Sequence, residues 1–387
     1  MTGTGIAAEQ HCRRRAGRKL SIFRAGGCVS FGRHNRRSHE APFPPENSSM
    51  SRGATLQSLA TELKIHVSTV SRVLNGSDAD AKSAASSDKI ELIRALARMR
   101  NYQPNLHAVG LRTSKSKIIN VFIPSISDIV GALIYEGVDD AARRLGYLPL
   151  ISDTHDELER QDSHLASAIA RKVDGMIFAD AQPARVHLIK EVQRRGIPYL
   201  LVHRKLGPDV CSVTVDDFKG GELAAKHLVD QGHTKFAVLA GLPYASTGAG
   251  RAAGFVAHCA SRGIEVPGNR ILHSGFDLAS GRVAGEFLCS SGDIPTAVFA
   301  ADDFLAIGLM GAVRDKGLIA GDDIAIVGYN DTPVAAELSI PLSSVRSPMH
   351  QMGSRGMELL FEAMQGREIQ SEILPPKLII RQSSWSI

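Results

Sequence analysis

Apolar residues recur in two different rhythms along the 387-residue chain, and the rhythm changes near residue 118. Before that point they recur every three or four residues, which is typical of amphipathic helices. From Ile118 onward, short apolar runs alternate with amphipathic segments. Strand and helix segments in alternation indicate parallel sheets that are covered by helices on both faces. The sequence therefore predicts an all-α head followed by a doubly wound α/β body.

Three short helices are predicted in the head. The first begins behind Thr55, a plausible N-cap, and the second covers residues 67–75 and ends at Gly76. We expect the polar stretch 77–86 to connect the second helix to a third, which carries Ile90 on its apolar face. Two helices joined by about three residues form a helix-turn-helix, whose second helix can enter the major groove of DNA.

The body contains enough strands for two sheets. The predicted strands cover residues 118–123, 147–151, 175–179, 199–202, 236–240, 271–273, 296–300 and 324–327. Because eight or more strands exceed one sheet of usual size, we expect two βαβ lobes. Ligands of such sheets bind beyond the carboxyl ends of the strands, which here means the cleft between the lobes.

The composition argues against a membrane-spanning protein and against a fold held together by disulfides or zinc. Hydrophobic residues make up 43% of the chain, but no run of about 18 uncharged apolar residues occurs, so no membrane-spanning helix is predicted. The five cysteines form no CxxC pair, which argues against a disulfide framework or a structural zinc site and favours a reducing, cytoplasmic location. We expect neither a metal nor a cofactor.

Positive charge is concentrated at one end of the chain. Residues 1–49 hold nine Lys and Arg against three acids, residues 51–117 hold eleven against five, and the remainder is net acidic. A basic module joined to an acidic body indicates contact with a polyanion at one end.

Residues 1–49 form a basic extension with Arg13-Arg14-Arg15 and no sustained periodicity, which predicts disorder. The apolar stretch after Leu20 is interrupted by Arg24 and is too short for the core of an export signal. Met50 stands immediately before the first periodic segment, and we hypothesise that it is the true start of the protein.

Several motifs occur in a fixed order and resemble one family. The motifs are Thr69-Val70-Ser71-Arg72-Val73-Leu74-Asn75, Tyr102-Gln103-Pro104-Asn105, Asp174-Gly175-Met176-Ile177, Gly232-His233, Arg251-x-x-Gly254-Phe255, Asp303-x-x-Ala306-x-Gly308, Val327-Gly328-Tyr329-Asn330-Asp331 and Pro341-Leu342-Ser343-Ser344-Val345. Together they resemble the LacI-type family, the lactose, galactose and purine repressors of bacteria. The resemblance covers the chain from about Thr55 to its end, although the segment between Gly76 and Tyr102 is several residues longer than in the family.

The second predicted helix carries short hydroxyl side chains and one guanidinium on its polar side, groups that suit phosphates and the acceptor edge of guanine. The resemblance implies base reading by Val67, Ser68 and Arg72. It further implies phosphate contacts by Thr55, Thr69, Ser71 and Asn75.

Residues 105–117 resemble the family's hinge helix and linker. Such a short helix is marginal in water alone, and the family's hinge helices fold on the operator. The resemblance assigns DNA contacts to Asn105, Ala108 and Leu111, with Leu111 as the apolar wedge in the minor groove. The alternative is that Leu111 packs on the body.

For the effector, the resemblance points into the cleft. Arg251 and Asp303 match positions that commonly hold ligand hydroxyls or carboxylates, which suits a sugar because hydroxyls both donate and accept. The remaining expected cleft residues are Ser125, Asp128, His203, Arg204, Phe276 and Asn330. Because the family usually has Asp where His203 stands, we hypothesise a more anionic ligand, such as a sugar acid.

The segment Gly248-Ala249-Gly250-Arg251-Ala252-Ala253 matches a loose dinucleotide fingerprint, but its glycines begin several residues after the preceding strand rather than in the turn that follows it. No HExxH, GxSxG or Walker sequence occurs, so nothing supports an enzyme.

The sequence thus predicts a helix-turn-helix head over 50–104, a hinge over 105–117 and a two-lobed effector and dimerisation domain, similar to periplasmic binding proteins, over 118–387. We expect the first lobe to combine 118–215 with 346–370 and the second to combine 216–345 with 371–387. The predicted function is that of a homodimeric transcriptional regulator, a repressor, which binds pseudo-palindromic double-stranded DNA under the control of a sugar or sugar acid. The competing classes are a sugar-binding transport component and a nucleotide-dependent oxidoreductase.

Overall fold

The computed structural model describes residues 54–103 and 115–385. The extension 1–49 and the hinge residues Asn105, Ala108 and Leu111 therefore lie outside the described residues.

The head, defined as residues 54–103, contains four helices in this description. They are α1 (Leu56–Leu63), α2 (Val67–Asn75), α3 (Asp78–Ala84) and α4 (Ser87–Met99). Thr55 begins α1, since its side chain accepts a hydrogen bond from the Ser58 amide. His66 does the same for α2 through the Ser68 amide.

The stretch 77–86, predicted as a polar connection, instead contains the helix α3. The prediction missed it because the segment has almost no apolar periodicity. Its stability comes from capping: the Ser77 side chain accepts from the Asp80 amide at 3.1 Å, and the Asp80 carboxylate accepts from the Ser77 amide at 3.0 Å. Ala81 is its buried contact with the small core formed by α1, α2 and α4, in which Val70 and Ile93 are almost fully buried.

The body contains two six-stranded sheets. The first lobe consists of the sheet β11-β5-β4-β3-β1-β2 and its helices, and the second lobe of the sheet β12-β10-β9-β8-β6-β7 and its helices. The strands are β1 (Ile118–Ile123), β2 (Leu148–Asp153), β3 (Gly175–Phe178), β4 (Tyr199–Val202), β5 (Ser212–Val215), β6 (Phe236–Gly241), β7 (Ile271–His273), β8 (Ala297–Ala300), β9 (Ala325–Asn330), β10 (Ser343–Arg346), β11 (Glu372–Leu374) and β12 (Lys377–Ile379). Neighbouring strands are parallel except β10 and β12, which pair antiparallel.

Helices cover both faces of each sheet. They are α5 (Ile129–Leu145), α6 (Leu158–Ala170), α7 (Val186–Arg194), α8 (Asp217–Asp230), α9 (Ser246–Ser261), α10 (Leu278–Ser290), α11 (Asp303–Asp315), α12 (Pro333–Glu337) and α13 (Met349–Met364). The central strands are buried along their whole length, as parallel strands covered on both faces must be. None of the helices that the structure describes is long and apolar enough to span a membrane.

The chain crosses between the lobes three times, and one boundary differs from the prediction. Residues 372–374 were expected in the second lobe, but β11 pairs with β5 in the first. The strands β5, β10, β11 and β12 were not predicted because each contains polar or charged residues and so forms no continuous apolar run. The dinucleotide-like glycines Gly248 and Gly250 lie inside α9, not in a turn after a strand.

Candidate effector cleft and DNA-binding head

The two sheets place the carboxyl ends of their strands around one cavity. Each lobe has the order 2-1-3-4-5 at its centre, so the connections reverse direction between β1 and β3 and again between β6 and β8. Crevices form at such reversals. The space between the atoms of this cavity, counted together with the open solvent at its mouth, is about 410 Å³, and we call the cavity the cleft. Its lining consists of Pro124, Asp128, Val130, Gly131, Ile134, Ala179, His203, Arg204, Thr247, Arg251, Phe276, Asp302 and Asn330.

Arg204 reaches the cleft from the loop after β4. Its Nη1 and Nη2 donate to the two carboxylate oxygens of Asp156 at 2.7 and 2.9 Å, a bidentate pair. The guanidinium also lies over the ring of Tyr244 in the second lobe, 5.9 Å from its centroid. Among the described residues, Nε of Arg204 has no hydrogen-bond partner although the side chain is buried. One donor of a fixed guanidinium thus remains for a ligand.

Arg251 plays the corresponding part in the second lobe. It projects from α9, donates from Nε to Asp217 at 2.8 Å and from Nη1 to the Ala301 carbonyl at 2.8 Å. Its guanidinium carbon lies 3.8 Å from the centroid of the Tyr329 ring. The side chain is 1% exposed, and its Nη2 is without a partner in the part of the chain that is described. Burial raises the pKa of Asp217 to about 6, although Arg251 opposes this shift.

The carboxylate in the cleft belongs to Asp302, not to the predicted Asp303. Asp303 is fully buried, and its oxygens accept hydrogen bonds from the Thr332 amide and hydroxyl and from the Ser344 hydroxyl at 2.6–2.8 Å. Asp302 lines the cleft, caps α11 through the Phe304 amide and accepts from Nδ2 of Asn330 at 2.7 Å. The sequence could have signalled this, because the N-cap that follows a strand faces the strand's carboxyl end.

Asp128 lies opposite in the first lobe as the N-cap of α5, where it accepts from the Val130 amide at 2.9 Å. Burial raises the pKa of Asp128, and burial together with the nearby Asp128 and Asp303 raises the pKa of Asp302 well above its usual value. His203 has a left-handed backbone with φ of 71°. Burial, together with the positive charges of Arg251 and Arg204, lowers its pKa well below the usual value, so its imidazole is neutral near pH 7.

Of the other predicted cleft residues, two line the cleft and one does not. Phe276 is part of the lining. Its ring packs against Gly241 so closely that a Cβ at position 241 would stand 2.1 Å from it, and this position must therefore be glycine. Asn330 is also in the lining. Ser125 is not: its hydroxyl bonds with Ser127 at 2.8 Å on the rim. The lining residue Thr247 was missed, and so were Asp156 and Asp217, which hold the two arginines. No periodic signal in the sequence marks a residue that pairs with an arginine from a distant segment.

The polar side of α2 carries the predicted DNA-reading residues. Ser68 and Arg72 are exposed, and Val67, Thr69, Ser71 and Asn75 are partly exposed, while Val70 and Val73 are buried. Nη2 of Arg72 donates to the hydroxyl of Ser83 on α3. Thr55 is exposed at the start of α1. The helices α1 and α2 thus pack against each other, and the polar face of α2, with its small hydrogen-bond donors, is exposed to solvent.

Residues 225–384 match the model of the periplasmic binding protein-like domain family. Catabolite control protein A of Priestia megaterium is 29% identical over 334 residues, which cover 85% of this chain and 99% of that protein. The repressor PurR of Pasteurella multocida is 28% identical, with 85% and 98% covered. PurR is a transcriptional repressor, and DegA of Bacillus subtilis, which is 29% identical to this chain, is a transcriptional regulator.

Solved structures show the same architecture. A lac repressor dimer bound to operator and the anti-inducer ONPF has a TM-score of 0.77 at 24% identity, covering 87% of this chain and all of that one. The complex of the regulator CelR with cellobiose has a TM-score of 0.65 at 25% identity, covering 85% and 99%. Over about 85% of its length, the chain is therefore similar to transcriptional regulators of the LacI type.

Proposed function

We propose that this protein is a repressor that binds operator DNA as a homodimer and whose affinity for DNA is set by a small, polar, sugar-like effector bound in the cleft. The observation that carries the proposal is the presence, in one chain, of an exposed helix-turn-helix and a cleft lined by polar atoms from both lobes that have no hydrogen-bond partner among the described residues. We propose residues 50–104 as the DNA-binding domain, 105–117 as the hinge and 118–387 as the effector domain.

The cleft supports ligand control because its polar groups come from both lobes. Asp128, His203 and Arg204 belong to the first lobe, and Arg251 and Asp302 belong to the second. A ligand that bonds to both sets favours one relative position of the lobes. It can shift the dimer only by its difference in affinity for the two positions, a coupling typically of about 1–3 kcal/mol.

A dimer is supported by the surface of the second lobe. On α10, Leu278, Val283 and Phe287 are 48%, 67% and 58% exposed. Exposed apolar side chains grouped on one helix are typical of a protein–protein contact. A two-fold dimer presents two copies of α2, which requires a site of two related half-sites in the DNA.

The test is selection of bound DNA from a random pool, followed by Arg72→Ala. The full-length protein should enrich a pseudo-palindromic sequence, and Arg72→Ala should lose retention of that sequence at least about tenfold, since a bidentate arginine contact to guanine contributes roughly 1–3 kcal/mol. Arg98→Ala on α4 serves as the control for lost positive charge. Enrichment of no palindrome, or equal loss for both variants, would contradict the proposal.

A further inference from the structure

The charges in the cleft do not balance. Each arginine already has a carboxylate behind it: Arg204 pairs with Asp156, and Arg251 pairs with Asp217. Asp128 and Asp302 also line the cavity, and in the described part of the chain neither forms an ion pair. The cleft therefore holds two carboxylates, one from each lobe, in excess over its cations.

The hydrogen bonds that Asp128 and Asp302 accept come from neutral groups. The donors are the Val130 amide to Asp128, and the Phe304 amide and the Asn330 side-chain amide to Asp302. Neutral donors help to solvate a carboxylate but do not cancel its charge. Arg204 and Arg251 attract Asp128, and Arg251 attracts Asp302, but the cost of burial outweighs this attraction. The two groups therefore favour a further positive charge or a proton between them.

A third acceptor stands beside them. Asn330 is 1% exposed and donates its Nδ2 to Asp302, and among the described residues its Oδ1 has no partner. Asp128, Asp302 and Asn330 Oδ1 thus offer three acceptors to the cavity. A primary ammonium has three N–H donors and one positive charge, so it satisfies this set in number and in sign.

The donors of the cleft take the other end of a ligand. Nε of Arg204 and Nη2 of Arg251 are buried and, within the described ranges, unpartnered. They suit hydroxyl or carbonyl oxygens. His203 adds a neutral ring nitrogen with no partner in the described chain, since its lowered pKa keeps it uncharged.

We propose that the effector carries a protonated primary amine, held between Asp128 of the first lobe and Asp302 and Asn330 of the second, with its oxygens toward Arg204 and Arg251. The simplest sugar-like members of this class are hexosamines. This inference rests on the proposed function and specifies its ligand. It reverses the sign that we hypothesised from the sequence, because His203 brings no positive charge and both arginines are already paired.

An ammonium in this position links the lobes. It contacts carboxylates from both sides of the cleft, so its positive charge offsets the repulsion between them when the cleft closes. A neutral hydroxyl in the same position leaves that repulsion, unless one carboxyl keeps a proton. Binding of the amine therefore releases a proton, and affinity for it rises with pH from acidic to neutral conditions. The charged and titratable groups around the pair are Asp156, His203, Arg204, Asp217, Arg251 and Asp303.

The experiment is calorimetric titration of the full-length protein with nine ligands. They are glucosamine, galactosamine and mannosamine, the three parent hexoses and the three corresponding uronic acids. We expect at least one amine to bind about tenfold tighter than its parent hexose and its acid. Its affinity should fall between pH 7 and pH 5, and titrations in two buffers of different ionisation enthalpy should show proton release.

Three aspartates that cap helices provide matched variants. Asp128→Asn and Asp302→Asn keep the cap and remove the charge, and each should weaken amine binding about tenfold or more. Asp277→Asn makes the same change at the N-cap of α10, where Asp277 is exposed and outside the lining, and should leave binding unchanged. Circular dichroism checks that each variant is folded.

Equal or tighter binding of a neutral hexose or a uronic acid would overturn the inference, and so would binding of no amine in the set. Either result leaves the proposed function standing if the same preparation retains its selected operator. Loss of the operator together with normal amine binding would instead contradict the proposed function alone.

Discussion

Neighbouring side chains in this protein have different tasks when the backbone turns between them. Asp302 caps α11 and faces the cleft, while Asp303 points into the second lobe and fixes Thr332 and Ser344. Both are buried, but only Asp302 lines the cavity. Asp303 therefore has a structural role. A substitution at this position should change the free energy of unfolding rather than the affinity for a ligand.

Asp303 gives stability a pH dependence of defined sign. Burial raises its pKa to about 6, above the value of about 3.9 in an unfolded chain, so the folded state binds the proton more tightly. The associated stability is present below about pH 4 and is lost as the pH rises through 6. In urea unfolding, the wild type should lose up to about 3 kcal/mol between pH 4 and pH 7 relative to Asp303→Asn. Identical pH profiles for the two proteins would contradict this.

Helices in the body pack in close pairs, and each helix of a pair has a glycine against the backbone of the other helix. Gly221 on α8 faces the Arg251 carbonyl on α9, and Gly254 on α9 faces the Phe218 carbonyl on α8. A Cβ at either glycine would stand only 1.9–2.0 Å from a carbonyl oxygen. The pairs α5–α13 and α10–α11 repeat the arrangement. In the α8–α9 pair, this close approach holds Asp217 and Arg251 in bonding distance at the cleft.

Gly254→Ala should separate α8 from α9. Backbone oxygen cannot yield as a flexible side chain can, so we expect a loss of about 3 kcal/mol in the free energy of unfolding, together with weaker effector binding. Gly268→Ala is the control, because a Cβ there meets nothing within 4 Å. Urea unfolding of both variants measures the difference, and equal stabilities would refute the packing argument.

At the scale of the whole molecule, two lobes with the same strand order face each other across the cleft. The chain crosses between them through short connections, so each lobe contains segments distant in sequence. If the effector changes the relative position of the lobes, the position of α10 relative to the first lobe changes with it. This is the route by which we propose that effector binding changes the geometry of the dimer.

The exposed apolar side chains of α10 predict that the protein dimerises through this helix. Phe287→Glu places a charge one helical turn from Val283 in the exposed apolar group and should convert a dimer into monomers in analytical ultracentrifugation. Operator affinity should fall with it, since one head then contacts one half-site. Val186→Glu on α7 introduces the same charge at another exposed apolar position, 38% exposed, and should leave the dimer intact. A dimeric Phe287→Glu would place the interface elsewhere.

Local pattern determined the class of the fold. Strands such as Ile118–Ile123 and Tyr199–Val202 were predicted with their observed bounds, because a buried parallel strand is a continuous apolar run between polar turns. Once the strands were identified, the loops that follow them, with Asp128 and Arg204, could be predicted to lie in the cleft. The carboxyl ends of parallel strands share one edge of the sheet.

Tertiary structure alone decided the partners. The pairing of Arg204 with Asp156, the choice of Asp302 over Asp303 and the place of β11 in the first sheet depend on segments far apart in the chain. The helix α3 depends on capping and on contact with α2, not on periodicity. A sequence pattern reports which face of an element is apolar, whereas the charge balance of the cleft exists only after two lobes have brought their side chains together.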